Sequence, residues 1–289
     1  MAVKSLTHMR LFGAVAGGLA ALMVGAGSAA AAEHIELRNT KFGFEGPLGK
    51  YDPVALQRGF KVYQEVCSAC HAMNLVYYRN LGQKGGPFYN ERYPNPNDNP
   101  WAKAIAADAQ IPDIDPDTGD AITRAGTPAD HFKAPFANDI AARASNGGAL
   151  PPDLSVIAKA REGGPHYIYS LLTGYVDPPK GLTVAPGMHY NKYFAGDLSS
   201  AWSGPPNQVP EGGVLAMAFQ LPAGRVTFDD GTPSTTDQMA HDVSTFLAWA
   251  AEPKAEERKE TGFAVMAYLI IFAGIMYASY RRLWRNIAH

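Results

Sequence analysis

The chain contains two cysteines, and both fall in one pentapeptide, Cys67-Ser68-Ala69-Cys70-His71. Two thiols at this spacing can each add across a vinyl group of one porphyrin edge, and the adjacent imidazole can turn onto the iron. The chain must then fold around a ring that thioether bonds hold in place. Three other uses of the spacing fit less well. A redox dithiol sits in a strand-to-helix unit that Val62 to Met73 does not resemble. A structural zinc site needs further ligands, and neither a second CxxC nor an HxxxH is present. A plain disulfide leaves His71 without a role.

The flanks of the motif predict helices. Asp52 is placed to cap a helix whose first residue is Pro53, and Val54, Leu56, Phe60, Val62 and Tyr63 give it an apolar side. Far along the chain, Ser234 and Asp237 read as a capping box. They precede Met239, Val243, Phe246 and Leu247, which recur at i, i+4, i+7 and i+8. This second helix is expected to pack on the first. Glycine (29) and proline (22) are frequent, so the connections between modest helices should be long and irregular.

Two segments address the chain to a membrane. Lys4 and Arg10 precede an apolar run from Leu11 to Gly27 and a small-residue tract to Ala32, the pattern of a signal peptide over 1–32. The stretch from Gly262 to Tyr280 carries no charge, and its nineteen residues span about 28 Å as a helix. Tyr280 and Trp284 beside Arg281, Arg282 and Arg285 mark an interface and place the C-terminus in the cytoplasm. The expected order is therefore a signal peptide (1–32), a domain outside the cytoplasm (33–260), an anchor (261–281) and a cytoplasmic tail (282–289). Five basic residues lie in the two end segments, leaving 20 of the 25 against all 27 acids between them. Nucleic acid is excluded as a partner, since phosphates need a basic face.

The second axial ligand decides whether such a haem passes electrons or binds small molecules. Met73 is too near His71 to reach the opposite face. Met239 lies on the apolar side of a predicted helix, where methionine usually fills core. Met188 and Met217 both lie in loop-like surroundings, and spacing does not choose between them. An enzyme with a displaceable ligand would need a distal acid or base, for which His166 or His189 could be nominated by position alone.

Several stretches together resemble the cytochrome c1 family, the haem subunits of cytochrome bc1 complexes, over nearly the whole chain after residue 32. They are the thiol pentapeptide, Asn146-Gly147-Gly148-Ala149-Leu150-Pro151-Pro152-Asp153-Leu154-Ser155, Tyr169 to Tyr175, Asp229-Asp230-Gly231-Thr232-Pro233, and Phe246 to Pro253. The resemblance implies a mainly α, cytochrome c-like domain with long irregular loops plus one C-terminal transmembrane helix. It implies one covalent haem c with Met217, in Ala216-Met217-Ala218, as the axial methionine in preference to Met188. Haem contacts from Asn146, Pro151, Arg161 and Tyr167 follow by the same resemblance, Arg161 pairing a propionate. So does a one-electron relay: a Rieske iron-sulfur protein reduces the haem, and a soluble or anchored cytochrome c accepts the electron. Cytochrome b and membrane lipid would surround the anchor in a bacterial inner membrane, with the haem domain periplasmic. No bond-making catalysis is expected of the chain itself.

Two further expectations concern loops. Asp197 to Gly213 reads as an insertion before Met217, with no cysteine left to brace it. Between Glu91 and Asp130, eight acids (Glu91, Asp98, Asp108, Asp113, Asp115, Asp117, Asp120 and Asp130) face Arg92, Lys103 and Arg124. Charge pattern divides evenly between a solvated loop and a docking surface, and the resemblance favours docking for a basic cytochrome c, with Asp229 and Asp230 added.

Overall fold

The computed structural model describes residues 35–286. The expected signal peptide, 1–32, lies outside the described residues. In chain order the α-helices are α1 (Pro53–Glu65), α2 (Pro100–Ala107), α3 (Asp139–Ser145), α4 (Ile157–Ala160), α5 (Pro165–Thr173), α6 (Thr236–Ala251) and α7 (Ala255–Trp284). Two antiparallel ribbons interrupt them, β1 (Gln110–Ile114) with β2 (Ala121–Ala125) and β3 (His189–Asn191) with β4 (Gly213–Leu215). The expectation of a mainly α domain with long connections and one apolar C-terminal helix is met.

Asp52 caps α1 by accepting from the Val54 amide at 3.0 Å, with Pro53 following as the sequence suggests. Its buried side is Ala55, Leu56, Gly59, Phe60, Val62 and Tyr63. Val54, expected on that side, is exposed instead. At ~100° per residue it stands on the opposite side of the helix from Leu56. The α6 cap is Thr235, whose hydroxyl accepts from the Gln238 amide at 3.1 Å. The expected Ser234 and Asp237 box is therefore not formed: the cap lies one residue later, Gln238 donates to Asp242, and Asp237 accepts from the Tyr169 hydroxyl. Met239, Val243, Phe246 and Leu247 are all buried, as their spacing predicts.

Helices α1 and α6 cross and build the core, with Phe60, Tyr63, Phe132, Phe246 and Trp249 in mutual ring contact. Gly59 permits the crossing, because a Cβ there would collide with the Asp242 carbonyl and the Phe246 side chain. Beside it Asp242, fully buried, accepts from Arg58 Nε at 2.6 Å and from Gln238 Nε2 at 2.8 Å. Arg58 also reaches Asp230 at 2.8 Å, and Lys61 reaches Asp229 at 2.7 Å. The Asp229-Asp230 turn is therefore tied to α1 by two ion pairs, although the Asp229 side chain stays largely exposed.

The charged run from Glu252 to Glu260 mostly belongs to the anchor helix, which begins at Ala255. Thirty helical residues span about 45 Å, more than the ~30 Å of a hydrocarbon layer, so the charged first turns stand outside it. They grip the domain: Lys259 Nζ donates to the carbonyls of Phe44 at 2.6 Å and Gly49 at 2.9 Å, and Glu256 accepts from the Tyr51 amide at 2.8 Å. Beyond them Phe263 to Trp284 exposes large apolar side chains along its length, which suits lipid or other membrane helices.

Gly59→Ala should force the two helices apart and cost about 2–3 kcal/mol of stability. Guanidinium unfolding followed by circular dichroism tests this, and an unchanged midpoint would show that the crossing tolerates a Cβ.

Candidate haem site

Helix α1 ends at Glu65, and Cys67–Ala69 follows at once as a short 3₁₀ turn in which the Cys70 and His71 amides both donate to the Cys67 carbonyl. Both thiols are free; Cys67 is half-buried and Cys70 exposed. Burial pushes the Cys67 thiol up to about 12, with Cys70 adding a smaller push in the same direction. Met73 is wholly buried in the core.

The imidazole of His71 has a defined state. Its Nδ1 lies 2.8 Å from the Pro152 carbonyl. A carbonyl only accepts, so Nδ1 carries the proton and Nε2 keeps its lone pair free. That is the tautomer a metal-binding imidazole needs, with its orientation fixed from behind. Burial lowers the His71 pKa, against weaker opposing pulls from Pro152 and Asp153, and so favours the neutral ring.

Pro152 belongs to a strap that runs beside the thiol turn. Asp153 accepts from the Asn74 amide at 2.9 Å and from the Ser155 amide at 2.7 Å. The Ser155 hydroxyl accepts from the Leu75 amide at 3.0 Å, and the Leu154 amide donates to the Ala72 carbonyl at 2.9 Å. Pro151 and Pro152 thus lie against residues 71–75 because four consecutive residues of the strap are bonded to that segment. The sequence signal was the proline pair itself, but its partner was not readable. Asn146 ends α3, where its amide donates to the Ala142 carbonyl at 2.7 Å; the glycines after it, Gly147 and Gly148, both take positive φ and turn the chain into the strap.

The remaining expected residues gather around α5. Tyr167 lies on α5 and packs half-buried against the main core. Arg161, just before the helix, is exposed, donates to the Ala160 carbonyl at 3.0 Å, and lies close enough to the Tyr167 hydroxyl to oppose the upward pull of burial on that phenol. Met217 is half-buried just after β4, and its carbonyl accepts from the Tyr175 hydroxyl at 2.9 Å. Tyr175 also lies within electrostatic range of Tyr167. Tyr175, which the sequence reading left without a role, thus meets the Met217 peptide directly. Met188 stands in the turn before β3, half-buried. Met239 is wholly buried on α6, as expected of a core filler.

The donor set suits a haem. It offers two free thiols on one turn and an imidazole in the ligating tautomer. Leu150 and Phe219, on the strap and on the segment after Met217, keep apolar surface open that a porphyrin could cover. A thiol pair and an oriented imidazole at the end of the first of two crossing helices define a c-type cytochrome domain, here carried on a helix long and apolar enough to cross a membrane. The cytochrome c1 family model matches residues 42–287, and the chain belongs to that family. It is similar to cytochrome c1 of Rhodospirillum rubrum, at 41% identity over 288 residues, covering 93% of this chain and 96% of that protein. It is 43% identical over 257 residues to a mitochondrial cytochrome c1 haem protein of Arabidopsis thaliana, covering 89% of this chain and 75% of the relative. Cytochrome b/c1 of Bradyrhizobium diazoefficiens is 42% identical over 265 residues, and this chain spans only 35% of that longer protein. The family is one of haem c electron carriers, and haem c is the cofactor it implies.

Asp153→Ala removes the acceptor of two amide bonds and should destabilise the domain by about 2 kcal/mol. Denaturant titration measures the loss; no change in midpoint would mean that the strap is held by its backbone bond and Ser155 alone.

Proposed function

We propose that the chain is the membrane-anchored, periplasm-facing electron carrier of a bacterial quinol-oxidising complex. The observation that carries this reading is the His71 imidazole, whose proton sits on Nδ1 and whose Nε2 is free, directly after two free thiols. On this reading Cys67 and Cys70 bond one haem by thiol addition, sulfur to one vinyl carbon and hydrogen to the other. His71 and Met217 are the axial ligands. Asn146, Pro151 and Tyr167 would contact the ring, and the exposed Arg161 would pair a propionate. Haem supplies the one-electron couple. The chain's residues would hold the haem through the two thiols and the oriented His71 imidazole.

The same reading gives residues 1–32 as a signal peptide, 33–260 as the periplasmic domain, 261–281 as the inner-membrane anchor and 282–289 as the cytoplasmic tail. Electrons enter from a Rieske iron-sulfur protein and leave to a soluble or anchored cytochrome c, with cytochrome b and lipid around the anchor. Purification in mild detergent tests the assembly, since a co-purifying b-type haem is expected, and a chain that purifies alone would instead be an independent anchored shuttle.

Extraction of the denatured protein with acidified acetone should leave the haem on the polypeptide, because thioethers survive it. Haem found in the acetone phase would overturn covalent attachment. Met217→Leu should open the sixth position and lower the reduction potential, since thioether ligation favours ferrous iron, whereas Met188→Leu should change neither. The reverse pattern would move the ligand to Met188.

The acidic segment supports a narrower docking surface than its composition suggests. Arg124 binds Asp113 at 2.5 Å and grips Asp130 with two bonds of 2.7 and 2.8 Å, while Asp115 accepts from the Asp117 and Thr118 amides in the hairpin turn. These three acids hold the hairpin. Asp108, Asp117 and Asp120 are exposed and better placed to steer a basic partner. Replacing these three with asparagine should slow association with a basic cytochrome c at low salt and flatten its salt dependence, leaving the haem spectrum unchanged. An unaltered on-rate would remove the hairpin from the docking surface.

A further inference from the structure

The chain before Met217, from Leu182 through the expected insertion at Asp197 to Gly213, is not irregular in the way its composition suggests. Leu182, Tyr190 and Leu198 form a small core of their own, with Trp202 and Val209 packed on it. This unit is fastened to the end of α5. Asn191, fully buried, donates from Nδ2 to the Leu171 carbonyl at 2.7 Å and accepts from the Tyr193 amide at 2.9 Å. The Lys192 amide donates to the Gly174 carbonyl at 3.2 Å, and Tyr175 bridges to Asn191. Gly174 has no room for a side chain, because a Cβ would collide with the Tyr193 ring. Through the β3–β4 pairing, Asn191 opposite Gly213 and His189 opposite Leu215, the same fastening fixes the strand that ends two residues before Met217.

Downstream the chain is fixed again at Leu221, which is buried and whose carbonyl accepts from the Thr236 hydroxyl at 2.7 Å. Between these two fixed points residues 216–220 are exposed or half-buried. The Tyr175 hydroxyl reaches into this span and donates to the carbonyl of Met217 itself, while the Tyr175 ring packs 5.7 Å from that of Phe219.

From this geometry we infer that Tyr175 is a positioning residue for the sixth ligand: its phenol, held at the rigid end of α5, pins the Met217 peptide so that the thioether keeps its place on the iron. The inference rests on the reading of Met217 as that ligand. A span anchored at both ends but free in the middle lets its side chain swing. One hydrogen bond to the central peptide removes that freedom before the ligand binds, so less ordering cost opposes ligation.

The test uses the full-length, haem-loaded protein in detergent and compares Tyr175→Phe, Tyr190→Phe and Met217→Leu. Tyr190 is the control, since its hydroxyl also donates to a carbonyl of the same unit, that of Glu211 at 2.5 Å, but not to Met217. Imidazole is titrated into the ferric protein, the reduction potential is measured, and the thermal unfolding midpoint is recorded. Tyr175→Phe is expected to bind imidazole roughly tenfold more tightly than the unmodified protein, the scale of one hydrogen bond's net contribution, and to show a lower potential. Tyr190→Phe should shift the unfolding midpoint by a similar amount while leaving imidazole affinity unchanged. Equal imidazole affinities in Tyr175→Phe and the unmodified protein, or equal effects of the two phenylalanine variants, would overturn the inference. If Met217→Leu itself leaves the sixth position closed, the ligand reading fails, and this inference falls with it.

Discussion

The close approach of α1 and α6 at Gly59 is the contact on which the rest depends. A glycine there lets the two backbones meet, and the buried Asp242 at the same level draws Arg58 across the crossing. Removing one partner of such a buried pair costs several kcal/mol, typically about 3–5, because it strands a charge away from water. Lys61 with Asp229, whose carboxylate is 87% exposed, contributes far less to stability and mainly sets where the turn lies. Because the thiol turn begins one residue after α1 ends, the angle and depth of that helix decide where both cysteines and the imidazole stand. The haem site is in this sense an extension of the helix crossing.

The two sides of the proposed haem are held by different means. On the imidazole side, a strap of four residues is bonded directly to the segment after the thiols, through a carboxylate, a hydroxyl and backbone groups. On the methionine side the chain is held at a distance, by residues 182–215, which have a small core of their own and are fastened to α5 through the buried Asn191. The first arrangement leaves little slack. The second leaves a span of several residues that Tyr175 meets through its hydroxyl on the Met217 carbonyl and its ring on Phe219.

The anchor helix is continuous with the domain rather than tethered to it. Its first two turns are charged because they lie beside the domain, where Lys259 and Glu256 bind the loop from Phe44 to Tyr51. A flexible linker would let the haem domain roam over the membrane, whereas these contacts hold the domain at a defined height above the apolar part of the same helix. For an electron carrier, that restriction narrows the range of distances sampled.

The sequence by itself determined the features that local rules govern. The thiol spacing, the Asp52-Pro53 start of α1, the heptad-like recurrence along α6 and the uncharged nineteen-residue stretch are each complete within a few turns of chain. Where local rules compete, it was less exact: Thr235 rather than Ser234 caps α6, and Val54 faces outward. Tertiary structure alone decided the pairings that give the site its chemistry. The tautomer of His71 depends on a carbonyl 81 residues away, the pairing of the buried Asp242 on an arginine 184 residues away, and the hydrogen bond at the Met217 carbonyl on a phenol 42 residues away. None of these separations has a period or a motif. They arise when packing brings a donor and an acceptor together out of water, where leaving either unpaired would cost more than the bond itself contributes.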